Sequence, residues 1–189
     1  MKWVFAVCLP GLMMMCGDLQ AQDELTEARP SPEHKVLEME TGTWDGNIKM
    51  WMPGAGEEPV RSTGTEVCHT VGPFWVVTDL DYEAFGRKLG GHGTFGYDPG
   101  NGKYRGFWMG VDSPYPLMMT GEFDENTNTM TWAFTGKDPT GNPLSGKVIT
   151  TFKGDNKKHF QLFMDIGQDK LFKIMEIDYT RKKSATDNR

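Results

Sequence analysis

The chain has 189 residues, 38% hydrophobic and 12% aromatic, which supplies a proper core for one medium-sized domain and excludes a disordered chain. Acids number 26 against 20 bases, and the net charge of −6 excludes a phosphate-backbone binder, which needs a clustered basic surface. With 23 Gly and 11 Pro the composition suits turn-rich β structure and excludes coiled coils and multi-span membrane proteins.

Lys2 is followed by an almost wholly apolar stretch, Trp3 to Cys16, too short for a transmembrane helix of about 20 residues. Ala21 is a small residue suited to the position before signal-peptidase cleavage. Residues 1–21 are therefore expected to be a secretory signal and the protein to be exported, periplasmic or secreted. A rival reading makes Cys16 a lipidated N-terminus, although Met13-Met14-Met15 stands where such signals favour a small residue. A cut after Ala21 leaves Cys68 alone among the three cysteines, with no internal disulfide to form.

Residues 22–30 are acidic and aperiodic, as expected of a linker, ahead of a domain over 31–183 and a tail over 184–189. Ser31-Pro32-Glu33 reads as a helix start, with Ser31 as N-cap and Pro32 at the first helical position, and Gly42 ends the short helix. From Thr43 the period becomes two: Trp44, Gly46, Ile48, Met50 and Met52 alternate with Asp45, Asn47, Lys49 and Trp51. Further strands are expected over Pro59–Val71, Phe74–Tyr82, Gly91–Tyr97, Tyr104–Val111, Leu117–Phe123, Met130–Phe134, Val148–Phe152, Phe160–Met164 and Leu171–Tyr179. Turn signals such as Asp98-Pro99-Gly100 and Asp124-Glu125-Asn126 separate them, and no long amphipathic helix fits between, so βαβ crossovers are excluded. The predicted fold is all-β, an antiparallel up-and-down barrel of about ten strands with a short N-terminal helix, closed to hide its edges. Gly106 and Gly121 stand inside strands, where they allow either a bend of the sheet or room for a ligand.

Three stretches carry a family resemblance: Pro32-Glu33-His34-Lys35 running into Gly42-Thr43-Trp44-Asp45-Gly46, then Gly91–Pro99 with Lys103-Tyr104, and Met175-Glu176-Ile177-Asp178-Tyr179-Thr180-Arg181-Lys182. Together they resemble the bacterial DUF1579 family, often exported and without an assigned activity, from about Pro32 to Lys183. Gly42-Thr43-Trp44 also resembles the Gly-x-Trp start of lipocalin-like, or calycin, barrels. That resemblance implies a short helix before the first strand and a Trp44 packed across the closed end. Where members carry Asp-Ser very soon after a strand Trp, Met109-Gly110-Val111 here separate Trp108 from Asp112-Ser113.

Catalytic and metal motifs fail on their context. Gly91-His92-Gly93-Thr94-Phe95-Gly96 matches a dinucleotide fingerprint, but a turn follows it instead of a helix. Asp124–Asn128 imitates a calcium loop whose Gly and bidentate Glu are missing. His34, His69, His92 and His159 include no pair at metal-ligand spacing, and each reads as a surface or partly buried strand residue. Cys68 has only His69 beside it, on the opposite strand face, and reads as an inert buried thiol. No G-x-S-x-G elbow is present, and no cofactor is designated.

The favoured function is binding of a small hydrophobic ligand inside the barrel. The expected lining is Trp44, Ile48, Met50, Trp108, Met119, Trp132, Met164, Met175 and Tyr179. One alternative is an enzyme, a hydrolase or isomerase, using Asp79, Asp81, His92 and Glu176, or a haem barrel with His92 or His159 as axial ligand. Another is an interaction module, monomer or weak homodimer, in which Trp51 faces outward as a contact surface unless Val36 and Leu37 of the helix cover it.

Overall fold

The computed structural model describes residues 28–183 apart from Ala55 and Asp169, so the expected leader with Cys16, most of the linker and the tail lie outside the described residues. Helix α1 spans Pro32–Glu38. Ten strands follow in an unbroken meander: β1 Gly42–Met50, β2 Val60–Val71, β3 Trp75–Ala84, β4 Arg87–Asp98, β5 Lys103–Gly110, β6 Leu117–Asp124, β7 Thr129–Lys137, β8 Pro143–Phe152, β9 Lys157–Asp165 and β10 Leu171–Arg181. Each strand pairs antiparallel with its sequence neighbour, and β10 closes on β1 through Trp44↔Arg181 to Met50↔Met175. Closure leaves no open strand edge among the described residues.

Several strands run longer than the apolar pattern alone indicates. Residues outside the apolar runs extend the hydrogen-bonded ladder, as at Lys157 and Lys158 of β9 and Pro143 to Lys147 of β8. Between β3 and β4 the turn shrinks to Phe85-Gly86, both at positive φ (54° and 69°). That backbone matches the right-handed twist of a two-residue hairpin.

Alternation assigns the faces. Trp44, Ile48 and Met50 of β1, Val76, Thr78 and Leu80 of β3, Met130, Trp132 and Phe134 of β7, and Ile177 and Tyr179 of β10 point inward and are buried. A bulge between Lys173 and Met175 breaks the alternation in β10, so Lys173 reaches the outer wall while Met175 turns inward.

At Gly106 and Gly121 the space over the glycine is filled by an aromatic ring and is not ligand space. A side chain from the adjoining strand lies flat across them: a Cβ on Gly121 would meet Trp132 at 2.5 Å, and one on Gly106 would meet Phe95 at 2.4 Å. Both are cross-strand partners in the ladder, Gly121↔Trp132 and Phe95↔Gly106. These glycines seat aromatic rings against the wall, and the lumen behind the rings stays open.

Helix α1 stoppers one end of the barrel. Its N-cap Ser31 donates its backbone N–H to His34 Nδ1 at 3.0 Å, and the Tyr104 hydroxyl donates to the Glu33 carbonyl at 3.0 Å. His34 is buried, edge-on to Phe74 and Tyr97 at ring distances of 5.2 and 5.6 Å. The expectation of a strand or surface histidine is thus corrected, because the ring anchors the helix. Val36 and Leu37 face the lumen and do not cover Trp51. Trp51 instead donates its indole N–H to the Glu57 carbonyl at 3.1 Å and packs under the Lys173 ammonium, 4.5 Å from the ring centroid.

Candidate functional site

A ten-stranded barrel is wider than the eight-stranded kind that side chains just fill, and here the excess is a cavity of about 240 Å³. Strands β2 to β10 and α1 line it, with β1 absent. Of the expected lining, Trp108, Met119, Trp132, Met175 and Tyr179 meet in its wall. Trp44, Ile48 and Met50 point inward but do not reach it. Ile48 packs against its ladder partner Ile177 and over Gly64, which makes the β1–β10 side a solid core. Met164 shares the face of Phe160 and Leu162 but lies half-buried toward the end of β9, outside the lining.

The wall is aliphatic and aromatic through the middle, with Phe95, Phe134, Val148, Phe160 and Leu162 completing it. Its floor under α1 is polar. Lys158, only 3% exposed, donates to Glu40 and to Glu66 and sits 4.7 Å from the Trp44 ring centroid and 4.8 Å from that of Tyr179. The Tyr179 hydroxyl donates to the other Glu66 oxygen at 2.7 Å. Cys68 Sγ lies 3.0 Å from Thr78 Oγ1 and 3.3 Å from Glu66 Oε1. At the opposite end Tyr82, Leu89, Gly110 and Asp112 form the mouth.

Charge and burial work against each other on this floor. Burial opposes the Lys158 charge, yet the Glu40 and Glu66 carboxylates prevail and hold its pKa above the ordinary lysine value. Burial pushes the Glu40 carboxyl up, with Lys158 pulling the other way. Burial, reinforced by Glu66, raises both the Cys68 thiol and the Tyr179 phenol. Cys68 is therefore a protonated, unreactive thiol, as its sequence context suggested. The ligating atoms of Glu40, Glu66 and Cys68 lie within 4.8 Å of one another, a grouping that can hold a metal. The cation actually bound by the two carboxylates is the protein's own ammonium.

Trp44 joins floor and helix. Its indole N–H donates to the Glu40 carbonyl at 2.7 Å, and the Arg181 guanidinium stacks on the ring at 3.9 Å from its centroid. Arg181 in turn donates to the Thr41 and Met39 carbonyls. Trp44 is thus the packed plug of the closed end, not a cavity residue.

The enzyme and haem candidates do not converge. His92 lies on the outer wall with its Nδ1 2.7 Å from Asp79, the two side chains 38% and 52% exposed. Asp81 is also exposed on that wall. His159 pairs with Asp178 on the outside at 2.7 Å. Glu176 accepts from Lys49 at 2.8 Å and Lys173 at 2.6 Å, clamping β1 to β10 from without. None of these reaches the cavity, because each stands at an outward position of its strand. Sequence reasoning missed the floor pair instead. Lys158 falls just before the apolar run that marked β9, and Glu66 shares the inward face of Cys68. A charged residue in step with the buried positions was the available signal.

The fold and cavity define a closed, helix-plugged, lipocalin-like antiparallel barrel. The same architecture occurs in the crystal structure of Rv2717c from M. tuberculosis, with a TM-score of 0.62 and 14% identity over 82% of this chain and 100% of that one. It also occurs in the S-type phycobiliprotein lyase CPES from Guillardia theta, with a TM-score of 0.56 and 11% identity over 86% and 99%. Residues 29–181 match the family described as "Protein of unknown function (DUF1579)", and the chain belongs to that family. No curated protein matches the sequence.

Proposed function

We propose that the protein is a small exported carrier, working as a monomer, that holds a small, predominantly apolar molecule inside the barrel. The observation that carries this reading is the cavity of about 240 Å³ inside the barrel, apolar through its middle and closed at one end by α1. A dry apolar cavity of about 150 Å³ already admits benzene, so this one has room for a ligand somewhat larger. The rings of Phe95 and Trp132, seated on glycines, keep the volume open without leaving loose side chains to collapse into it. The phycobiliprotein lyase from Guillardia theta, a barrel of the same architecture, supports the reading. The apolar stretch Trp3–Cys16 supports export, and the Glu57 and Lys173 contacts of Trp51 support the monomer.

The test is titration with the neutral fluorophore N-phenyl-1-naphthylamine, comparing wild type with Val148→Trp, which puts an indole in the cavity. Wild type is expected to enhance the fluorescence saturably, and the variant to bind at least about tenfold more weakly at unchanged secondary structure. Equal binding by the two proteins would place the probe elsewhere and refute the reading.

A further inference from the structure

We propose, resting on that ligand-binding reading, that the cavity selects its ligand by head group: it takes an apolar molecule ending in a hydrogen-bond donor, a hydroxyl or an ammonium, and rejects a carboxylate. Among the described residues, the charged side chains lining the cavity are Glu40, Glu66, Asp112 and Lys158, three acids against one base. Asp112 stands at the mouth, where a ligand enters. Glu40 and Glu66 stand at the floor, where the end of an inserted ligand comes to rest.

Lys158, the one cation of the lining among the described residues, is already committed. Lys158 donates to both floor carboxylates, and its ammonium lies over the rings of Trp44 and Tyr179. Arg181, the next cation, stacks on Trp44 and donates to the backbone carbonyls of Thr41, Met39 and Asp155. A carboxylate reaching the floor would add a third negative charge beside Glu40 and Glu66 in a desolvated space. It would have to draw Lys158 away from one of them, leaving that one buried and unpaired. A hydroxyl or ammonium instead donates to oxygens that are already there as acceptors, and an ammonium also offsets the excess of one negative charge on the floor. The apolar wall gives affinity to all three kinds of amphiphile alike. Discrimination comes from the repulsive element at the end of the cavity.

The test is competition against N-phenyl-1-naphthylamine at pH 7 by three probes of one chain length: octan-1-ol, octylamine and octanoate. On the purified protein, octanol and octylamine are expected to displace the fluorophore, with octanoate weaker by about tenfold or more. Glu66→Gln keeps the side-chain shape and removes one floor charge, so the gap between octanol and octanoate should shrink at least about threefold. If that variant does not fold, Glu40→Gln, at the more exposed end of the cluster, serves in its place. Octanoate binding as tightly as octanol to wild type overturns the head-group rule while the ligand-binding reading stands. An octanoate gap that survives both charge-removing variants overturns the assignment to the floor carboxylates. Failure of the fluorophore itself to bind removes the ligand-binding reading, and this inference with it.

Discussion

Lys158→Met is the most informative single perturbation of the barrel floor. Methionine keeps most of the stem and removes the ammonium, so the packing under Trp44 and Tyr179 is largely retained while Glu40 and Glu66 lose their shared counter-ion. Breaking a buried ion pair from one side costs about 3–5 kcal/mol, because the remaining charge is left desolvated. The lower end applies here: the Glu66 side chain is 12% exposed but that of Glu40 is 24% exposed and can turn toward water. For a chain of this size about 3 kcal/mol corresponds to a fall in Tm of about 6–12 °C. The pH dependence follows in sign. Burial already raises the Glu40 carboxyl, and without Lys158 to pull it down its folded-state pKa rises further above the unfolded value, so the folded state binds an extra proton as the pH falls. The deficit is therefore largest above the folded pKa and shrinks on acidification toward the unfolded one. Thermal unfolding at pH 7 and pH 5, followed by circular dichroism, reads both quantities. Adding Glu66→Gln to Lys158→Met should recover part of the loss, since one uncompensated charge disappears. A variant within about 1 kcal/mol of wild type at pH 7, or a deficit that widens at pH 5, would refute the view of this cluster as a desolvated ion network.

Gly121→Ala puts a methyl 2.5 Å from the Trp132 ring and should cost about 1–3 kcal/mol in urea denaturation, with a changed near-ultraviolet spectrum as the indole leaves the wall. A fully stable alanine variant would mean that the ring does not depend on the glycine. Glu176, whose pKa the hydrogen bonds from Lys173 and Lys49 pull down to about 2, contributes stability that is present above the unfolded value of 4.5 and lost as pH falls through about 2. Glu176→Gln should cost about 1.5 kcal/mol at pH 7, at the low end for charged hydrogen bonds because both lysines are about a third exposed. The same variant should show a flatter acid limb in a stability-against-pH profile, and an unchanged limb would assign the acid sensitivity to other groups.

The alternation Trp44-x-Gly46-x-Ile48-x-Met50, the recurring turn signals and the lack of room for a long helix determined an antiparallel meander from the sequence alone. They did so because hydrogen-bond geometry ties side-chain direction to a period of two. Ser31-Pro32 likewise located α1, since capping is a local matter. Which inward residues meet a cavity and which meet each other was not a local matter. Ile48 and Met119 both obey the same alternation, yet one is packed against Ile177 and the other borders empty space. Only the closure of β10 on β1 and the seat of α1 across one end separate them. The floor depends still more on the tertiary structure. Glu40, Glu66 and Lys158 come from the turn after α1, the second strand and the ninth, and Glu66 and Lys158 stand 92 positions apart along the chain. Nothing in their neighbourhoods along the chain marks them as partners, because Coulomb attraction acts through space and becomes decisive only where the barrel has excluded water.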